Sequence, residues 1–184
     1  MPRYIAFLRA INVGGHTVKM EELRGHFESL GFANVDSFIA SGNIIFESPS
    51  QDTEALEKKI ETHLRDALGY DVATFLRTDA EVAEIADHEP FPDTEANPAN
   101  KLAVAFLAEP PPAAARKALM GFRNDIDDFH FHGREVYWLR RDKPRQSKFS
   151  NAVLEKTLDA QATLRGIRTV QRLAAKYPPP HTNH

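Results

Sequence analysis

The order of β-prone and helical runs in residues 4–77 limits the possible folds of this chain more than any other feature of its sequence. β-prone runs lie at residues 4–10, 35–40, 43–47 and 71–77. Apolar residues recur every three or four positions from Met20 to Leu30 and again from Leu56 to Leu64, which is the period of a helix. The resulting order, β-α-β-β-α-β, predicts a split βαβ plait in which the first and third strands are antiparallel neighbours.

The second half of the chain repeats this order. After a short helix near residues 82–85 and a proline-rich stretch, it shows a strand, a helix, a hairpin, a helix, a strand and a closing helix, predicted at 101–107, 111–122, 128–140, 151–158, 162–165 and 170–175. We therefore expect an α+β protein made of two ferredoxin-like (βαββαβ, alpha-beta plait) subdomains packed together, in the manner of a domain duplication. The expected boundaries are 1–88 for the first subdomain with a linking helix, 89–99 for the linker, 100–176 for the second subdomain and 177–184 for a flexible tail.

Composition excludes several classes of protein. The chain has no cysteine, which excludes disulfide scaffolds, thiolate catalysis and iron–sulfur clusters and is typical of a reducing compartment. No apolar run approaches the roughly 20 residues of a membrane span. We therefore expect a cytoplasmic protein with no membrane partner.

Charge is distributed unevenly along the chain. Residues 1–133 carry 12 basic and 22 acidic side chains, whereas residues 134–172 carry 10 basic and 4 acidic ones. The basic segment can attract phosphate or carboxylate groups. It can equally balance the acidic first half or remain solvated.

Two separate segments are predicted to meet at one end of the first sheet. The first strand ends at a segment with a cation, an amide and paired glycines, and the third strand begins at a serine–glycine–asparagine turn. Backbone N–H groups exposed by glycine can surround an anion. The alternative is that the glycines only form turns and the asparagines cap them. The residues concerned are Arg9, Asn12, Gly14 and Gly15 in the first segment and Ser41, Gly42 and Asn43 in the second.

Four sequence blocks carry a resemblance to a known family. They are FLRAINVGGH (7–16), SFIASGNIIFES (37–48), SKFSNAVLEKTL (147–158) and ATLRGIRTVQRL (162–173). The chain resembles a bacterial family known as domain of unknown function sixteen ninety-seven. The resemblance implies a fold of two ferredoxin-like subdomains and no established activity. The family tends to have Asn-Trp-Asn after the arginine of the fourth block, where this chain has Gly166, Ile167 and Arg168.

These features together predict an anion-binding cleft between the subdomains. The expected ligand is a small molecule bearing a phosphate or a carboxylate, with no metal and no cofactor. In this hypothesis cations supply charge, polar side chains orient the ligand and glycines let backbone N–H groups reach it. The predicted cations are Arg9, Lys148 and Arg165, the orienting residues are Asn12, Asn43 and Ser147, and the glycines are Gly14, Gly15 and Gly42.

Two alternatives stay open. One is an enzyme that acts on a phosphorylated small molecule in the same cleft, so the sequence leaves open whether the protein is an enzyme. The other is a protein-interaction or nucleic-acid module that uses Arg140, Arg141 and Arg145. Nucleic acid is the less favoured partner, because the plait strands lack the basic–aromatic pattern of RNA-binding domains. His130 and His132 alternate on a predicted strand, and we interpret them as one face of a hairpin rather than as metal ligands.

Overall fold

The computed structural model describes residues 1–9, 18–39, 42–91, 99–144 and 146–180. The chain divides into two compact units, which are residues 1–85 together with 173–184, and residues 86–172. Parts of the predicted linker and tail, at 92–98 and 181–184, lie outside the described residues. The predicted subdomain boundaries at 88, 99 and 176 stay predictions.

The first unit contains the predicted plait. Its elements are β1 (Arg3–Leu8), α1 (Met20–Ser29), β2 (Ala33–Ser37), β3 (Asn43–Glu47), α2 (Thr53–Leu68) and β4 (Thr74–Thr78), and α3 (Asp79–Asp87) follows them. The strand order is β2-β3-β1-β4, so the first and third strands are neighbours, as predicted. All three strand pairs are antiparallel, so the end of β1 lies beside the start of β3.

Local side-chain chemistry explains where the helices begin and end. The Asp52 side chain accepts a hydrogen bond from the Ala55 backbone N–H at 3.1 Å and caps α2. Gly69, with a φ of +82°, ends that helix in the left-handed region. Thr78 and Glu81 form a capping box for α3, because each side chain accepts from the other residue's backbone N–H, at 3.1 and 3.0 Å.

Two strand ends differ from the sequence prediction by three residues. β2 was predicted to run to residue 40, but it ends at Ser37. Ile39 has a φ of +61°, which lies outside the β region and is strained for a β-branched residue. β4 was predicted from residue 71, but it begins at Thr74, and Val72 before it is buried in the core. At the end of β2 the backbone of Ile39 thus overrides a β-prone composition.

The second unit repeats the plait. Its elements are β5 (Lys101–Phe106), α4 (Ala113–Met120), β6 (Asp127–His132), β7 (Glu135–Arg140), α5 (Asn151–Leu158) and β8 (Thr163–Gly166), and α6 (Ile167–Lys176) follows them. The sheet order is β6-β7-β5-β8, which is the order of the first sheet. The prediction of an α+β protein with two plait units is therefore confirmed.

Each unit has its own core between its sheet and its helices. In the first unit the core includes the rings of Tyr4, Phe27, Phe32 and Phe46, and the Phe46 ring lies 4.3–5.6 Å from the other three. In the second unit Trp138, Phe129 and Phe149 pack with Leu154 and Leu158 of α5. Aromatic burial of this kind supplies much of the free energy of folding.

Residues Tyr177 and Pro178 are attached to the first unit. The Tyr177 hydroxyl donates a hydrogen bond to the Asp36 carboxylate at 2.5 Å, and Arg3 donates to the Pro178 carbonyl at 3.2 Å. The hydrogen bond from Tyr177 lowers the pKa of Asp36, and burial together with Asp36 raises the pKa of Tyr177. These contacts join residues 177–178 to β1 and β2.

None of the helices in the described part of the chain is both long enough and apolar enough to cross a membrane.

Candidate functional site

The structure brings three of the predicted residues of the first unit to one end of its sheet. The Leu8 backbone N–H donates to the Gly42 carbonyl at 2.9 Å, and the Arg9 N–H donates to the Ala73 carbonyl at 2.9 Å. Phe7 is the register partner of Asn43. Arg9, Gly42 and Asn43 therefore lie at the same sheet end, whereas Asn12, Gly14, Gly15 and Ser41 lie outside the described residues.

The Asn43 side chain holds the turn between β2 and β3. It is fully buried, and its amide nitrogen donates to the Phe38 carbonyl at 2.9 Å. The Phe38 backbone N–H in turn donates to the Asn43 carbonyl at 3.0 Å. Gly42 has a φ of +84°, which favours glycine over any residue with a Cβ. The amide of Asn43 thus stabilises the fold at the position where a ligand contact was predicted.

The three predicted residues of the second unit lie in different environments. Lys148 is exposed. Ser147 donates to the buried Asp127 carboxylate, with 2.8 Å to each oxygen. Arg165 is buried and donates to the Thr163 hydroxyl and the Leu164 carbonyl, at 2.8 and 2.9 Å, and burial lowers its pKa to about 10. The side chains of Ser147 and Arg165 therefore make hydrogen bonds within their own unit.

A pocket of about 340 Å³ lies beside β5 and β7 of the second unit. Four of its lining residues are basic, namely Lys101, Arg140, Arg141 and Lys143. The others are Ala99, Ile126, Asp142, Gln146 and Ser147. We call it the basic pocket.

The register of the sheet and a following loop build the basic pocket. Arg140 of β7 is paired with Asp127 on one side and with Lys101 on the other, so the three side chains share one sheet face. Beyond β7, the Arg141 N–H donates to the Ile126 carbonyl at 2.7 Å. The Asp142 N–H donates to the Asn100 side chain at 2.9 Å. The loop is thereby fixed against the strand ends.

Asp127 anchors the far end of the same loop. Its carboxylate is 2% exposed and accepts from the Trp138 indole N–H at 2.8 Å as well as from Ser147. The Ser147 oxygen accepts from the Phe149 backbone N–H at 3.1 Å. These donors satisfy the hydrogen-bonding capacity of the buried Asp127 carboxylate. The carboxylate thereby links β6, β7 and the loop that precedes α5.

The basic pocket has more positive than negative charge. Among the described residues, Lys101, Arg140 and Lys143 form no ion pair. The Arg140 guanidinium lies over the Trp138 ring, 5.7 Å from its centroid. Arg141 contacts Asp128 at 3.3 Å, but Asp128 also pairs with Arg123 at 2.6 Å, so one carboxylate serves two guanidinium groups.

The fold itself does not require the two strand cations of the pocket. Phe7 pairs with the first residue of β3, and Phe106 pairs with the first residue of β7, so these two positions are equivalent. Lys101 lies five residues before Phe106, and Arg140 lies five residues after the start of β7. In the first unit, Pro2 and Ser48 lie at the same distances from Phe7 and from the start of β3. Ser48 N–H donates to the Pro2 carbonyl at 3.1 Å, which places that pair at the same point of the ladder. The first unit thus forms the same sheet end without either cation.

A buried arginine, in contrast, occurs at the same position of both sheets. Arg77 of β4 pairs with Ile5, and Arg165 of β8 pairs with Val104. Arg77 is fully buried, and its guanidinium donates to the Leu76 carbonyl at 2.9 Å. Sequence reasoning missed Arg77, although a cation inside an apolar strand was the available signal. Its repetition indicates that Arg165 belongs to the shared fold.

A third histidine lies beside the two that were predicted on β6. His88 Nε2 is 3.2 Å from His130 Nε2, and the His88 ring stacks on His132 with centroids 4.2 Å apart. Within the described ranges, no group of three or more histidine, aspartate or glutamate side chains is arranged to hold a metal ion.

The basic pocket was only partly visible in the sequence. The excess of cations in residues 134–172 indicated the region, but not which of them share a pocket. Lys101 lies outside that segment and joins Arg140 only through the β5–β7 register. Arg145, which was also singled out, lies outside the described residues.

Comparisons with known proteins identify the family. A family model described as "Protein of unknown function (DUF1697)" matches residues 1–137, which include the first two of the four sequence blocks. The fold resembles that of the conserved bacterial protein SP0830 from Streptococcus pneumoniae, with a TM-score of 0.69 and 22% identity over 97% of this chain and 99% of that chain. No curated protein matches the sequence significantly. The chain therefore belongs to the DUF1697 family of proteins of unknown function.

Proposed function

We propose that this protein binds a small anionic molecule, bearing phosphate or carboxylate groups, in the basic pocket. The observation that supports the proposal is the set of cations without a carboxylate partner among the described residues, Lys101, Arg140 and Lys143, around a 340 Å³ space. Unpaired cations in a concave site attract anions, and the concave walls strengthen the local potential.

The two kinds of cation make different contributions. Arg140 and Arg141 present planar guanidinium groups that match the two oxygens of a carboxylate or phosphate. The stacking of Arg140 on Trp138 and the contact of Arg141 with Asp128 restrict both side chains before a ligand arrives. Because these two arginines are already restricted, they lose less side-chain entropy when a ligand binds. Lys101 and Lys143 add flexible point charges.

The predicted residues of the first unit are the alternative place for the ligand. Arg9, Gly42 and Asn43 share one sheet end, and Arg9 can supply charge there. Their prediction as ligand contacts, together with Asn12, Gly14, Gly15, Ser41, Ser147, Lys148 and Arg165, stays a prediction. Separate variants can distinguish these residues from the basic pocket.

We expect pyrophosphate and citrate to raise the melting temperature of the protein, and replacement of Lys101 and Lys143 by alanine to abolish most of that rise. A ligand at ten times its Kd adds about 1.4 kcal/mol to the free energy of unfolding, which is a rise of about 3–5 °C for a chain of this size. Thermal denaturation at low salt, followed by circular dichroism, measures the effect.

Two single-charge variants serve as controls for that measurement. Lys156→Ala removes an exposed cation of α5 that does not line the pocket, and we expect it to keep the full rise. Arg9→Ala tests the first unit in the same way. An unchanged rise in the double variant would exclude the basic pocket, and loss of the rise in Arg9→Ala alone would move the site to the first unit.

A further inference from the structure

The number of cations in the basic pocket bears on what kind of anion it accepts. This inference rests on the proposed function. Lys101, Arg140 and Lys143 have no carboxylate partner among the residues that the structure describes, and Arg141 shares Asp128 with Arg123. Among the described residues that line the pocket, Asp142 is the one that is acidic. A single phosphate cannot neutralise this many cations, whereas linked phosphates can.

The spacing of the cations leads to the same conclusion. Lys101 and Arg140 are direct partners on neighbouring strands, where paired Cα atoms lie about 5 Å apart. Arg141 and Lys143 follow on the loop that leaves β7. Cations arranged along a strand pair and its loop contact successive oxyanions better than they converge on one.

The pocket offers little to the rest of a larger ligand. In the part of the lining that the structure describes, the apolar residues are Ala99 and Ile126, and no side chain there is aromatic. Trp138 is nearby, but it is 9% exposed and Arg140 lies over its ring. A nucleobase would therefore find no stacking surface in the pocket, and such stacking is a main source of base affinity.

We propose that the basic pocket recognises a chain of two or three linked phosphates, whether free or at the end of a larger molecule. The phosphate chain occupies the pocket and any attached group remains outside it. The affinity then depends on the number of linked phosphates and does not depend on whether a nucleobase is attached.

Calorimetric titration at constant ionic strength and without divalent metals tests this proposal. The ligands are phosphate, pyrophosphate, tripolyphosphate, ADP and a single-stranded oligonucleotide. We expect the affinity to rise about tenfold with each added phosphate, because each adds charge-assisted hydrogen bonds. ADP is expected to bind within about threefold of pyrophosphate.

Variants distinguish a failure of the proposed anion binding from a failure of the proposed preference for linked phosphates. Lys101→Gln with Lys143→Gln keeps most of each side-chain stem, and we expect it to weaken tripolyphosphate about 100-fold but phosphate much less. Lys117→Gln with Lys156→Gln removes two exposed charges that do not line the pocket and is the charge-matched control. If no anion binds, or if the double variant leaves binding unchanged, the proposed function fails. If phosphate binds as tightly as tripolyphosphate, only the present inference fails. If the oligonucleotide or ADP binds far more tightly than a free chain of equal charge, the ligand is recognised by its bases and the inference is overturned.

Discussion

Asp127→Ala is expected to lower the free energy of unfolding by about 2–4 kcal/mol and to weaken anion binding at the same time. The substitution leaves the Trp138 indole N–H and the Ser147 hydroxyl without their acceptor. Because Trp138 is buried, its N–H cannot turn to water without disrupting the core. The loop that carries Arg141 and Lys143 would also lose its anchor, so the pocket would lose its shape.

Urea denaturation of Asp127→Ala measures the expected loss of stability, and titration of the variant with pyrophosphate measures the expected loss of anion binding. Asp127→Asn is the matched control, since its amide oxygen still accepts one of the hydrogen bonds, and we expect about half the loss of stability. Asp142→Asn is a second control, because Asp142 is exposed and lines the same pocket. It is expected to leave stability unchanged and to strengthen anion binding. Unaltered stability in Asp127→Ala would contradict the anchoring role.

Phe46→Ala is expected to destabilise the first unit by about 3–5 kcal/mol. The Phe46 ring is fully buried between Tyr4, Phe27 and Phe32, the last of which stacks on it at 4.3 Å. Removal of the ring leaves a cavity between β3 and α1 that the close-packed core can fill only in part. Loss of aromatic contacts adds to the loss of buried apolar area.

The loss can be measured by urea denaturation. Phe122→Ala serves as its control, because Phe122 is 44% exposed and its ring contacts Phe149 at 5.7 Å. We expect that change to cost less than about 1 kcal/mol. Comparable losses for the two variants would show that the aromatic core of the first unit is not packed as the structure has it.

The sequence was sufficient to predict elements whose signals are local. The helical spacing of apolar residues from Leu56 to Leu64 located α2, which runs from Thr53 to Leu68. Alternating β-prone runs around Gly133 located the β6–β7 hairpin. From these elements the topological rules for plaits gave the strand order of both sheets. Local signals were less accurate at the ends of elements, such as the end of β2, where the backbone of Ile39 lies outside the β region.

The site was harder to predict, because it depends on burial and on long-range register. Asp127 stands in an acidic run with Asp125 and Asp128 that is typical of a surface, yet its carboxylate is buried and bonded to Trp138. Ser147, whose role in orienting a ligand stays a prediction, donates its hydroxyl to Asp127, and the sequence did not indicate that hydrogen bond. Only the pairing of β5 with β7 brings Lys101 to Arg140.

The most direct test of anion binding in the basic pocket is a two-dimensional ¹H–¹⁵N NMR titration with pyrophosphate. Trp138 is the only tryptophan of the chain, so its indole N–H gives a single assignable resonance beneath Arg140. We expect that resonance and the amides of Arg141 and Gln146 to shift in a saturable way, with one common Kd. If instead the amides of Arg9 and Asn43 shift while these three do not, or if no resonance shifts at all, the basic pocket does not bind the anion.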